Sequence, residues 1–300
     1  MSKTHRSPLA QALAKIPALP RISELSDTRV EAWRKLGDSA PSRREHGLFL
    51  VEGLRACELL FADAVYPVAE LIVVAEELLH RQKETQASAA QVVRQAAKAE
   101  VSVFDVTREV FRRIAGVNKV RGVLAVVRKP EWSMENLVAG LAEQQGLAIA
   151  TVGLNDPGNL GTLMRTGYAF GAQALFALEG STDPFHPKVL RASAGHLLRA
   201  VKGTWQEFRH ACSSHGVDVL GLLPSPPEGE GLGVRATVAL DELARDPTKA
   251  VVVCVGSEGA GFPEHVRDFD RTVAIPMRPG AESLNAGVAG SLVLWKLRKV

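Results

Sequence analysis

Cysteine is scarce and scattered in this chain: Cys57, Cys212 and Cys254 are odd in number, far apart and in no C-x-x-C pair. Neither a disulfide framework nor a zinc site follows from them, and reduced structural thiols are expected. Long hydrophobic runs are absent too. No stretch approaches the roughly 18 uncharged apolar residues that a membrane helix needs. The opening MSKTHRSPLAQALAKIP lacks the apolar core of a signal peptide. A cytoplasmic location with no membrane partner is the expectation. The common phosphate signatures also fail. There is no G-x-x-x-x-G-K-S/T, and Gly256, Gly259 and Gly261 are spaced G-x-x-G-x-G, which is not the dinucleotide fingerprint. A P-loop enzyme and a Rossmann dehydrogenase are therefore disfavoured. The eight histidines form no H-E-x-x-H and no carboxylate cluster, so no metal is expected at His186, His196, His210 or His215.

What is there is an ordinary soluble composition, 46% hydrophobic and 23% charged over 300 residues, enough for two domains. The net charge is only +3. Its basic surplus in the first fifty residues permits phosphate contacts without establishing nucleic-acid binding. Patterning divides the chain into a basic, loosely ordered arm (1–42) in which VEAWRKL (30–36) can form a helix, a small α/β unit (43–129), a linker containing a helix (130–146) and a larger α/β region (147–300). In the last region continuous apolar strands (LAIATVG, ALFAL, VDVLGLL, VVVCVG) alternate with helices expected at about 160–170 and 188–200. That pattern predicts a mostly parallel sheet covered by helices on both faces, with ligands beyond the carboxyl ends of its strands. PSPPEGEGLG (224–233) reads as a surface loop.

Three stretches carry chemistry. In NDPGNLGTLMRTGYAFGA (155–172), Asp156, Pro157 and Gly158 form a turn signal, and Asn159 is placed as the N-cap of a helix with an apolar stripe at Leu160, Leu163, Met164 and Gly167. Arg165 lies off that stripe, either reaching toward the strand ends or simply exposed. In VVVCVGSEGAGFP a buried strand ends at Gly256, and Glu258 is either functional or a plain turn acid. In AESLNAGVAGSLVLW a helix is expected from near Ser283. Leu284, Val288, Leu292 and Trp295 form its buried stripe, and Ala286, Gly287, Ala289 and Gly290 make it thin enough for a tight core or a subunit interface. Ser283 is alternatively only an N-cap.

In this order and at these spacings, NDPGNLGTLMRT, VGSEGAGF and IPMRPGAESLNAGVA resemble the three signature motifs of the SpoU (TrmH-like) RNA ribose methyltransferases of the SPOUT superfamily. HPKVLRASAG between the first two is also typical, and EHGLFLVEGLRACELL with VRGVLAVV resembles the family's small substrate-binding domain. The resemblance implies a deep trefoil knot, an S-adenosylmethionine site within it, and a homodimer whose active sites draw on both subunits. It implies methyl transfer to a ribose 2′-hydroxyl of structured ribosomal or transfer RNA, with no role for DNA. Carried over by motif position, Asn159, Arg165, Glu258, Ser283 and Asn285 are the catalytic set. Gly256, Ile275, Met277 and Leu284 are the donor contacts. Ala286 and Gly287 stand where Val and Ser are common, which bears on pocket shape more than on the polar set. Arg43, Arg44, Lys119, Arg121, Lys188 and Arg191 are the basic residues expected at RNA phosphates. Two other readings remain open, a non-catalytic RNA-binding protein with the same fold and a small-molecule α/β enzyme.

Overall fold

Apolar strands and amphipathic helices gather here around two separate cores. The computed structural model describes residues 7–17, 19–223, 237–257, 261–278, 280–281 and 283–299. One compact unit comprises Met1–Pro130 together with Phe185–Gly195, and the other Glu131–Pro184 together with His196–Val300.

The first unit holds a five-stranded sheet. Its strands are β1 (Arg21–Ile22), β2 (Leu48–Glu52), β3 (Val68–Val73), β4 (Ser102–Val106) and β5 (Val123–Arg128), in the order β1-β4-β3-β5-β2. β4 runs parallel to β1 and β3, whereas β5 is antiparallel to β3 and β2. Its helices are α1 (Pro8–Leu13), α2 (Thr28–Asp38), α3 (Ala40–His46), α4 (Leu54–Asp63), α5 (Ala75–Leu79), α6 (Lys83–Lys98) and α7 (Arg108–Ala115).

The stretch 1–42, expected to be a loose arm, is structured from residue 7 through nearly all its described length. α1 buries Leu9 and Leu13 and packs on α6, β1 extends the sheet, and α2 is integral to the core. The reason is spacing: Val30, Trp33 and Leu36 recur on one face of α2 and join Ile72, Phe111 and Leu124 in one cluster. Asp27 caps that helix, its side chain accepting from Arg29 N at 2.9 Å.

The second unit begins at α8 (Met134–Glu143), followed by β6 (Leu147–Thr151), α9 (Pro157–Ala169) and β7 (Ala172–Leu178). The next helix, α10 (Pro187–Ala192), belongs to the first unit. The chain then supplies β8 (Arg199–Gly203), α11 (Trp205–Ser214), β9 (Asp218–Leu223), β10 (Thr237–Ala239), β11 (Val251–Val255), β12 (Arg271–Ala274) and α12 (Ala286–Leu297). The seven strands are ordered β10-β12-β9-β11-β6-β7-β8, and every neighbouring pair is parallel. The sheet is thus wholly parallel among the described residues, as suits strands such as β6 and β11 in which all five residues are buried.

Several boundaries differ from the patterning. The segment 130–146 is no spacer, because Val138 and Leu141 of α8 sit in the core of the second unit with Trp205 and Phe208. The helix expected over 188–200 ends at Ala192 and is followed by β8. α11 carries a capping box between Thr204 and Glu207, a T-x-x-E signature that marks its start. Phe185–Gly195 leaves the second unit's sequence to pack in the first. Phe185 stacks against Phe49 at 4.6 Å between ring centroids, and Gly195 lies so close to α4 that a Cβ there would meet Ala56 Cβ at 2.4 Å. The surface loop expected at 224–233 lies outside the described residues.

Candidate active site

β6 and β11 lie side by side with Thr151 opposite Val255, so the turns leaving them start from neighbouring points. Val152 N donates to Val255 O at 3.1 Å, and Gly153 N donates to Glu179 O at 3.0 Å, which gathers the exits of β6, β7 and β11. Beyond β11, Ser257 and Gly261 exchange backbone hydrogen bonds of 3.0 and 3.2 Å, and Ser257 Oγ donates to Gly261 O at 3.0 Å. A Cβ at Gly256 would sit 2.7 Å from Gly261 O, so only glycine fits this close approach. Glu258, the expected acid of this motif, lies outside the described residues.

Asp156, not Asn159, is the N-cap of α9: its Oδ1 accepts from Asn159 N at 2.7 Å. Asn159 is the third residue of the helix, and its buried side chain is released for another task. Its Oδ1 accepts from Asn285 Nδ2 at 2.8 Å, while Asn285 Oδ1 accepts from Val288 N at 3.1 Å. Asn285 is therefore the N-cap of α12, which starts at Ala286 rather than near Ser283. The two helices meet through small residues. A Cβ on Gly287 would lie 3.2 Å from Asn159 Cα, and one on Gly290 would lie 2.5 Å from Leu163 Cδ2. One turn on, Ser291 Oγ and Thr166 Oγ1 are 3.0 Å apart. Sequence spacing gives no sign of this pairing of hydroxyls, whereas the Asp156 cap has one, because D-P-G before an apolar run is a helix-start signal.

The structure joins Asn159 to Asn285 but does not bring Arg165 or Ser283 to that pair. Arg165 lies six residues along α9, about 120° around the helix at 3.6 residues per turn. It is exposed and makes no hydrogen bond or ion pair among the described residues. Ser283 is likewise exposed, two residues before the cap. Of the expected donor contacts, Gly256 is buried at the end of β11, Ile275 and Met277 are half-buried just beyond β12, and Leu284 is exposed ahead of α12. A glycine-floored turn at the end of a buried strand fits a methyl donor held through backbone groups.

The stripe expected to be buried on α12 faces outward: Leu284, Val288, Leu292 and Trp295 are 38%, 47%, 38% and 49% exposed. The small residues take the buried face instead, with Val293, Leu294 and Leu297. Among the basic residues, Arg43 is withdrawn from any phosphate. It is 4% exposed, and its Nη1 donates to Leu36 O at 2.8 Å and Gly37 O at 3.2 Å, closing the end of α2. Arg44, Lys119, Arg121 and Lys188 are exposed, and Arg191 is half-buried.

Residues 146–295 match the SpoU rRNA Methylase family, and residues 27–125 match an MRM3-like substrate binding domain. An uncharacterized tRNA/rRNA methyltransferase of Synechocystis is 31% identical over 200 residues, spanning 66% of this chain and 68% of that protein. Mycobacterial relatives of the same description are covered over only 62% to 63% of their length. The 23S rRNA (guanosine(2553)-2′-O)-methyltransferase RlmP of Bacillus subtilis is 26% identical over 286 residues, 93% of this chain and 100% of that one. The AdoMet-bound rRNA methyltransferase of Sinorhizobium meliloti shares the fold, with a TM-score of 0.75 at 22% identity over 93% of this chain and 97% of that one. The family match runs over the same residues that place α9 against α12 at the carboxyl ends of one parallel sheet, and on that ground the chain belongs to the SpoU rRNA methylase family.

Proposed function

We propose that this protein is an S-adenosylmethionine-dependent RNA methyltransferase that acts on a ribose 2′-hydroxyl of ribosomal or transfer RNA, in the cytoplasm and as a homodimer. The observation that carries the reading is the hydrogen bond from Asn285 to Asn159, which unites the first and third motifs beside the turn after β11. No helix among the described residues is long and apolar enough to cross a membrane.

When bound, the donor supplies a methyl group on a sulfonium, an electrophile that needs only an aligned nucleophile. The bond formed is from the ribose oxygen to the methyl carbon, the bond broken is that carbon's bond to sulfur, and the hydroxyl proton must leave. A sugar hydroxyl is too weak an acid to lose it unaided at pH 7. Arg165 contributes positive charge beside the developing alkoxide, and Ser283 takes up the ribose proton while passing its own to solvent water, while Asn159 and Asn285 hold the α12 start in register. Arg165 is exposed, without a partner among the described residues and about 120° around α9 from Asn159, which supports a site completed by a second copy. The outward stripe from Leu284 to Trp295 supports the same arrangement, because four large apolar side chains on one face are covered when two copies pair. The knot belongs to this reading as well: beyond β12, which pairs with β9, the chain must return to set α12 against α9 and β11.

Incubation with methyl-labelled donor and RNA from cells lacking such methylation tests the proposal. Label at a single nucleotide, in a linkage resistant to alkali because its 2′-oxygen is blocked, is the expected result. Label on a base would overturn the ribose assignment, and transfer to no RNA would overturn the function.

A further inference from the structure

Glu52 ends β2 with a carboxylate that is 6% exposed, and neither of its oxygens accepts a hydrogen bond. Leu50, Ile114, Leu124, Pro187 and Leu190 wall the small cavity beside it. Two cations approach. Arg121 Nε, from the turn before β5, is 4.0 Å from Oε1, and Arg191 Nη1, from α10, is 3.7 Å from Oε2. Burial pushes the Glu52 carboxyl up from its usual range, and the two guanidiniums only partly oppose that rise. An acid in so apolar a place is costly unless its charge is used.

Its effect is to bring two like charges together. Guanidiniums from separate elements that converge on one point repel, and one carboxylate between them offsets the repulsion. At these distances the contacts are ion pairs and not hydrogen bonds, so the forked donors stay available. Neither Arg121 nor Arg191 makes a side-chain hydrogen bond among the described residues, and their side chains are 57% and 30% exposed. The net charge of the trio remains positive.

We propose that Arg121 and Arg191, gathered by the buried carboxylate of Glu52, form a two-pronged site for one RNA phosphodiester, with Glu52 as its positioning residue. The inference rests on the RNA reading above and deepens it. Paired guanidiniums match the non-bridging oxygens of a phosphate in a way that single lysines do not. Because α10 is supplied by the chain between the first two motifs, the site is built only when Phe185–Gly195 is packed in the first unit.

The test is the affinity of the intact protein for a labelled RNA hairpin at several salt concentrations, for Arg121→Gln, Arg191→Gln and the double variant. The double variant is expected to lower the slope of log affinity against log salt by one phosphate's worth, about 0.7 to 0.9. Its fold-loss in affinity should be smaller than the product of the two single losses. In a Glu52→Gln background the losses should become multiplicative, an outcome a purely structural acid would not produce. Circular dichroism checks folding, and Arg191→Met, uncharged with a stem of similar length, replaces Arg191→Gln if that variant misfolds. A slope change of about 1.4 to 1.8 with multiplicative losses means two separate phosphates and overturns the shared site. An unchanged slope also overturns it. If the unaltered protein binds no RNA at all, the RNA reading falls and this site with it.

Discussion

Asn285 donates from Nδ2 to Asn159 Oδ1 at 2.8 Å while its own Oδ1 caps α12, so one side chain both starts a helix and ties it to another that lies 126 residues earlier in the chain. Truncating Asn285 to Ala removes both interactions at once. The cap is worth about 1 kcal/mol and the hydrogen bond about 1 kcal/mol. Unfolding in denaturant should therefore show a loss of roughly 2 kcal/mol. The double variant Asn159→Ala/Asn285→Ala should cost less than the two single losses combined, since the pair shares one bond.

Gly290→Ala places a methyl 2.5 Å from Leu163 Cδ2 and 3.0 Å from Val255 Cγ2, inside the packing of α12 on α9 and β11. Overpacking of this kind costs about 1 to 3 kcal/mol. Because Val255 ends the strand that leads to Gly256, the same change should weaken donor binding in calorimetry. Retention of both wild-type stability and wild-type donor affinity would contradict the close helix packing.

Arg165→Ala should leave stability within about 0.5 kcal/mol of the parent, as expected for an exposed side chain without partners among the described residues. Methyl transfer should be abolished and donor affinity kept. Mixing this variant with a Ser283→Ala variant should restore part of the activity if each site takes its arginine from the other copy. Absence of any recovery in mixed dimers would sink the shared site.

The outward face of α12 predicts assembly. Trp295→Glu, at a side chain that is 49% exposed, should convert dimer to monomer in light scattering while circular dichroism stays unchanged. A parent protein that is monomeric at the same concentration would refute the role given to this stripe.

Asp27 predicts a pH dependence. Its hydrogen bonds to the Arg29 side chain and backbone hold its carboxyl at about 2, below its usual 3.8. A depressed acid contributes stability above its unfolded value and loses it as pH falls through the folded one. Asp27→Ala should cost about 1 kcal/mol at neutral pH, and the gap should shrink as pH is lowered from 3.8 toward about 2. A gap that stays constant over that range would exclude the ion pair as its source.

Much of the second unit was legible in the chain itself. Val251–Val255 and Leu147–Ala150 are short unbroken apolar runs of the kind that a strand buried on both faces satisfies, and the glycines that follow mark the carboxyl ends where the candidate site lies. The ordered motifs likewise point to one family before any contact is known. Local pattern could not say which face of α12 is buried. Leu, Val and Trp at four and three residue steps normally mark the inner face, but here the close approach of α9 admits only small residues, Gly287, Gly290 and Ser291 among them, so the large residues are turned outward. Nor could spacing assign Arg43, whose donors are taken by carbonyls at the end of α2, or place Phe185–Gly195 in the other unit. Composition and periodicity set the strands, the helices and the polar inventory of the site, because those depend on neighbours in sequence. Which asparagine bridges, and which acid lies between two arginines, were decided by tertiary structure, because the partner of Asn285 is 126 residues away and those of Glu52 come from separate elements.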